Sequence, residues 1–395
     1  MAVEEYLAPE SVSRFQARAF GVGTAALILA ILGGLRSPAQ FYQSYLMSYL
    51  LVLGLTLGSL GLVMLQHLTA GHWGIIIRRP AESATRTLPL IAIFFVPIAL
   101  FGMKYLYGEW LDPQALKEHP LSGFQQHYLT HTGYLIRAVI YFAVWLALMF
   151  IFNIWSKQQD VNQTDRILRQ RFKMLAGPGI ILYVLGMSFA AIDWVMSLSP
   201  HWASTIYGFI VVGGQLISSM SFLIAVVVLL ARYQPLAGVL QPRHLHDMGK
   251  LLLSFVMLWA YFDFSQLLII WSGNLPAEIS FYRTRLYGEW AAVAVIVCVF
   301  HFFVPFFLLL SQDLKRRAQV LSKIALWLIL MRLVDLFWMT RPEFTSSAVP
   351  SWLDFVLPIA LGGLWLSFFA FNLKRSPLLP LGDPQLAEAI EHHEH

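Results

Sequence analysis

Ten stretches of about twenty predominantly apolar residues run through this chain, at roughly 17–35, 44–66, 88–107, 134–155, 176–196, 206–231, 250–271, 290–311, 324–340 and 355–373. A helix rising about 1.5 Å per residue needs about twenty residues to cross the hydrocarbon layer of a bilayer, about 30 Å thick. Inside that layer every backbone N–H and C=O must be satisfied within the protein, which leaves helices and closed barrels. The runs are continuous, whereas barrel strands alternate apolar and polar residues. The expected fold class is therefore all-α: a polytopic membrane protein with about ten transmembrane helices. Helices 2–5 and 6–9 are expected to form two four-helix bundles, with helices 1 and 10 peripheral. The whole of 1–395 is read as one integral membrane domain.

Composition agrees, with 58% hydrophobic and 12% charged residues, the latter about half the share usual in soluble domains. The net charge of +5 does not point to nucleic acid, because the basic residues sort by topology. Most of the 27 Lys and Arg residues fall near the N-terminus, on the connections after helices 2, 4, 6 and 8, and after helix 10. The positive-inside rule then places both termini in the cytoplasm. The opening MAVEEYLAPE lacks a basic n-region, so the first spanning helix is expected to serve as the targeting signal. The closing HHEH reads as a solvated tail.

Several features read as membrane packing. Gly54 and Gly58 form a GxxxG pair on helix 2 that lets backbones approach. Pro97 and Pro305 are expected to kink helices 3 and 8. Trp110, Trp202, Trp271 and Trp352 fall at outer boundaries, where amphipathic rings sit. The two longest connections, 108–133 and 272–289, lie on the outer side, and YGEW occurs at 107–110 and again at 287–290. That recurrence leaves open a pseudo-repeat of 44–196 and 206–340.

Ionisable groups at bilayer depth cost about 2.5–3.5 kcal/mol on insertion scales and mark functional positions. The candidates are Asp193, Asp263, His301, Arg332 and Asp335, with His67 near the cytoplasmic end of helix 2. Arg332 and Asp335 share a helix face: either a self-neutralised pair that locks packing, or a site that holds a carboxylate ready for proton transfer. Asp263, in WAYFDFSQLLIIW (259–271), has no basic partner on its own helix. It is expected within hydrogen-bond or single-water reach of His301 or Arg332. Asp193 lies within a turn of the outer surface and is expected to be partly hydrated.

Redox centres are not expected in this chain. Its one cysteine, Cys298, cannot supply the roughly four ligands of an iron–sulfur cluster. There is no CxxCH motif for c-type haem. His301 is the only histidine well inside the membrane, whereas a buried b-type haem would want two at matched depth. The loop histidines show no HExxH or other tight metal-binding spacing.

Four longer stretches carry a resemblance: DWVMSLSPHWASTIYG (193–208), WAYFDFSQLLIIWSGNLPAEISFYRTR (259–285), QHLTAGHWG (66–74) and ATRTLPL (84–90). Together, and in their order along most of the chain, they resemble the NrfD-like (polysulfide reductase NrfD family) membrane subunits of bacterial alternative complex III. The shorter, ActF type is the closer match. The resemblance implies a subunit of a quinol:cytochrome c or quinol:terminal-oxidase oxidoreductase in the bacterial inner membrane, not catalytic alone. A quinone or menaquinone would bind at or near it. Iron–sulfur clusters and c-haems would lie on partner subunits: an iron–sulfur subunit, c-type cytochromes, a paralogous NrfD-like subunit of the ActC type, and in some assemblies a terminal oxidase. It also implies proton conduction through intramembrane residues, a role that falls on the six candidates above. Two alternatives stay open: a purely structural anchor in the same complex, and a secondary transporter. Transporters commonly break helices at mid-membrane in pairs, and no such paired interruption occurs here.

Overall fold

The structure, a computed structural model, describes residues 6–161, 166–383 and 386; the HHEH tail lies outside them. The described residues form helices and no strand. Ten long helices follow one another: α1 (Glu10–Arg36), α2 (Pro38–Thr69), α3 (88–106), α4 (His131–Val161), α5 (Arg166–Trp194), α6 (Tyr207–Leu230), α7 (Pro242–Gly273), α8 (289–310), α9 (Ala318–Thr340) and α10 (Leu353–Leu373).

Among the described residues nine helices are long and apolar enough to cross a membrane by length and composition. The tenth, α9, has 23 residues, enough to span, and fails on polarity because it carries Lys323, Arg332 and Asp335. Parity requires it to cross. The Leu378 N–H donates to the Tyr6 carbonyl (2.8 Å) and Lys374 Nζ to Ser13 Oγ (3.1 Å). The start of α1 and the end of α10 thus share a face, which takes an even number of crossings. The protein is a multi-pass membrane protein. The face holding both ends also carries most of the Lys and Arg residues and is called the basic face below; the other is the outer face.

Helices α2 and α6 run back to back through the centre and are buried almost throughout. They approach closely at the GxxxG pair. A Cβ on Gly58 would collide with Ser219 Oγ and the Gln215 carbonyl, and Ser219 Oγ donates to the Gly54 carbonyl (3.0 Å). Helices α3 and α5 pack on α2, and α4 packs on both of them; α7 and α9 pack on α6, and α8 packs on both of them. This is the expected pair of four-helix groups. Helices α1 and α10 pack on each other, with Gly23 against Gly363 so close that a Cβ on Gly23 would stand 2.7 Å from the Leu364 nitrogen. That pair is tied to α2 by Trp365 Nε1 donating to Thr56 Oγ1 (2.8 Å) and Ser44 Oγ donating to Asp354 (2.6 Å).

Each expected proline kink adjoins a widened π-helical turn, Ile98–Gly102 after Pro97 and Val297–Phe303 before Pro305. A proline removes one backbone donor and crowds the carbonyl four residues earlier, which accounts for the widened turn before Pro305. Of the four boundary tryptophans, Trp271 and Trp352 are exposed as a membrane belt would have them, while Trp110 and Trp202 are buried inside the protein. Short helices cap the outer face, and in both YGEW copies the Trp is an anchor. Trp110 Nε1 donates to the Ser197 carbonyl (3.1 Å) and Trp290 Nε1 to the Thr345 carbonyl (3.0 Å).

Candidate functional site

The charged candidates gather in two places. The first lies within α6–α9. Arg332 and Asp335, one turn apart on α9, form an ion pair and are both buried. The room for it comes from α6. At Gly214 a Cβ would overlap the guanidinium, standing only 2.6 Å from Nη2 and closer still to Cζ and Nη1. Because α9 begins at Ala318, six residues before the apolar window suggests, the pair sits in the outer half of the helix.

His301 lies in the π-helical turn of α8, fully buried, with neither ring nitrogen hydrogen-bonded. Trp259 of α7 meets it edge-on at 4.5 Å, and its indole N–H is also buried without a partner. Leaving such groups unpaired in a dry interior costs about 1–3 kcal/mol each. The pair therefore marks a place where a hydrogen-bonding guest would be stabilised.

Asp263 is not directly bonded to either of its expected partners. It is half-buried on α7 and makes no hydrogen bond or ion pair among the described residues. Arg332, its expected partner, is engaged by Asp335. Asp263 instead interacts through space with Asp335 and Arg332. It makes no direct contact of that kind with His301.

From Asp335 a line of polar groups leads outward. The Tyr207 hydroxyl is buried without a hydrogen bond, in electrostatic reach of Asp335, Arg332, Arg285 and Glu343. Arg285 is buried at the end of the outer helix Pro276–Arg285. It pairs with Glu343 at 2.6 Å, donates to the carbonyls of Phe281 (3.0 Å) and Met339 (2.9 Å), and lies 3.5 Å over the Phe281 ring. Beside it, Gln266 of α7 donates to the Tyr282 hydroxyl (2.9 Å) and accepts from Ser204 Oγ (2.6 Å). Beyond Glu343 stands Glu109. Desolvation pushes its carboxyl above the usual carboxylate range, the Glu343 charge adds to that, and His201 and His119 oppose it.

Toward the basic face an apolar layer of these helices separates His301 from the buried His244 and Ser322 near the helix ends. Leu223, Leu252, Val256, Leu309, Ala325 and Leu328 are all fully buried. The polar line therefore stops at the level of His301.

The second place is the α2–α5 group, polar at both ends. At the outer end Asp193 is fully buried, not partly hydrated. Arg137 of α4 grips it, donating from Nη2 at 2.7 Å and from Nε at 2.9 Å, and the Tyr141 hydroxyl donates at 2.7 Å. Arg137 also lies 3.9 Å over the Tyr128 ring. At the basic end His67 stacks on Phe172 with ring centres 4.0 Å apart. The helix His72–Thr85 folds across this end and buries Glu82 among Arg78 (2.9 Å), Arg79 (2.9 Å) and Ser156 (2.6 Å). Arg79 in turn pairs with Asp160.

Thus Arg332, Asp335, His301 and, at longer range, Asp263 share one site, while Asp193 and His67 lie at opposite ends of the other bundle. Neither Arg137, inside the fourth apolar window at 134–155, nor Glu82, on the connection after helix 2, was singled out from the sequence. The available signal for Arg137 was depth: it sits on the second turn of α4, level with the last turn of α5. Among the described residues no three His, Cys, Asp or Glu side chains come together as a metal site. No protein-family model and no curated protein matches this chain.

Proposed function

We propose that this chain is a membrane subunit of a quinol oxidoreductase of the alternative complex III kind, with iron–sulfur and haem centres on partner subunits docked at the outer face. In that reading it resides in a bacterial inner membrane, with the basic face in the cytoplasm. The observation that carries the proposal is the one-sided polar line, buried charge at mid-depth joined to the outer face and closed toward the basic face. A subunit of this kind would lead protons from the membrane interior to the outer side.

The unpartnered nitrogens of His301 and the Trp259 N–H suit the oxygen of a quinone head, and these two residues would hold it. A bound quinol supplies two electrons and two protons on oxidation. The chain's own residues would do the rest. His301 offers an unoccupied ring nitrogen as first proton acceptor. Arg332 holds the Asp335 carboxyl by direct pairing. Tyr207, Glu343 and Glu109 extend the line to His119 and His201 at the surface. Asp263, coupled to the Arg332–Asp335 pair through space, would bias the charge of that pair.

A structural-anchor reading has its own support in the closed Arg332–Asp335 pair, since two mutually neutralised groups can simply lock α9 against α6. Asp335→Asn separates the two readings. In the purified assembly, quinol oxidation and outward proton release should both fall at least tenfold while the complex stays intact. Unchanged rates would leave only the anchor.

A further inference from the structure

On the basic face, away from the α6–α9 site, a small cleft of about 20 Å³ opens between the end of α2 and the start of α5, lined by Gln66, His67, Gln159, Arg169, Phe172 and Lys173, among others. Its floor is built. Gln66 and His67 are at least nine-tenths buried, and Gln66 Oε1 and His67 Nε2 have no hydrogen-bond partner among the described residues. The His67 ring is clamped by Phe172, so its free nitrogen keeps a fixed direction. The rim is cationic. Arg169 and Lys173 are exposed, one turn apart on α5, and neither pairs with an acid among the described residues.

The acid at the cleft is already committed, because Asp383 holds Arg78 at 2.8 Å. Arg78 also donates to Gln159 Oε1 (2.7 Å) and lies 5.3 Å over the Phe172 ring. The cleft thus combines two cations that have no acidic partner among the described residues with a desolvated imidazole that can donate one hydrogen bond. Arg, Lys and imidazole N–H donors around a small recess are the recognition chemistry of a phosphate group. Below the rim, the exposed side of α5 is apolar through Met174, Ile181 and Leu185.

We propose that this cleft binds a phosphate group, and that the phosphate belongs to an anionic phospholipid whose acyl chains lie along α5. Basic recesses between spanning helices on the cytoplasmic side are a physical route to such headgroup recognition. The inference does not rest on the quinol reading and survives its failure.

The test uses the full chain, purified in detergent and stripped of lipid, titrated with short-chain phosphatidylglycerol, short-chain phosphatidylcholine and inorganic phosphate. Phosphatidylglycerol should bind saturably at one site and phosphatidylcholine at least tenfold more weakly. Arg169→Ala with Lys173→Ala should weaken phosphatidylglycerol about thirtyfold, at about 1 kcal/mol per basic residue. The unfolding midpoint without lipid should stay unchanged, since both side chains are exposed. Inorganic phosphate binding as tightly as phosphatidylglycerol would overturn the lipid assignment in favour of a free anion. Equal binding of the two lipids, or a double variant that binds like the parent, would overturn the site itself.

Discussion

The contact between Gly214 and Arg332 allows a sharp test of how the buried pair is held. An alanine at 214 puts a Cβ 2.6 Å from Arg332 Nη2 and nearer still to two other guanidinium atoms. Ordinary van der Waals contact needs about 3.4–4 Å, so the guanidinium must move by about 1 Å or more. Arg332 is buried, with Met331, Leu336 and Trp338 of its own helix buried around it, and it cannot retreat without releasing Asp335. Separating one member of a buried ion pair costs about 3–5 kcal/mol, set against about 1 kcal/mol gained from replacing a helical glycine by alanine. Gly214→Ala should therefore lose about 2–4 kcal/mol net. Gly213→Ala, whose Cβ would meet Trp259 at 3.3 Å, should be close to neutral. The measurement is unfolding in mixed micelles followed by circular dichroism, with the same variant also placed in an Arg332→Met, Asp335→Leu background. There the penalty should vanish, because no charge remains to be stranded. A Gly214→Ala protein as stable as the parent, or an equal loss in the charge-free background, would refute the reasoning.

Three further outcomes follow from the geometry. Arg137→Leu should cost about 3–5 kcal/mol by leaving Asp193 buried and ionised, and the additional change Asp193→Asn should recover part of the loss in the same unfolding assay. Thr56→Val removes the acceptor of the buried Trp365 N–H and the hydrogen bond with the Thr87 hydroxyl, and should cost about 1–3 kcal/mol, seen as a lower unfolding midpoint. For Glu109 the folded pKa lies above the ordinary value, so the folded state holds the proton more tightly than the unfolded state. Stability should fall as pH rises from the ordinary carboxylate range through that raised value; Glu109→Gln should flatten the slope across the window, read from unfolding midpoints at successive pH.

The spanning helices were legible because apolar length is a property of each segment alone. α9 was recoverable despite Arg332 and Asp335 because both charges turn inward. The ends were less legible: α7 starts at Pro242, not 250, because polar residues such as Arg243 and Asp247 remain helical beyond the hydrocarbon. The helix His72–Thr85 was missed for the same reason, since Arg78, Arg79 and Glu82 look like loop charges until they neutralise one another. Partner choice was the least legible feature. Asp263 and Asp335 both had claims on Arg332, and only the rotation of α7 against α9 decides between them. Asp193 was singled out by its depth, but its partner lies on α4, 56 residues away in sequence, where no local spacing points.

The account rests on the interior of α6–α9 being polar on its outer side and dry on its basic side. The most direct measurement is thiol labelling with a small, membrane-impermeant reagent, using single cysteines at Tyr207 and Val256 in a Cys298→Ser background. The Tyr207→Cys protein should react from the outer face, and the Val256→Cys protein should react from neither face. Labelling of Val256→Cys from the basic face at the rate seen for Tyr207→Cys from the outer one would contradict the account.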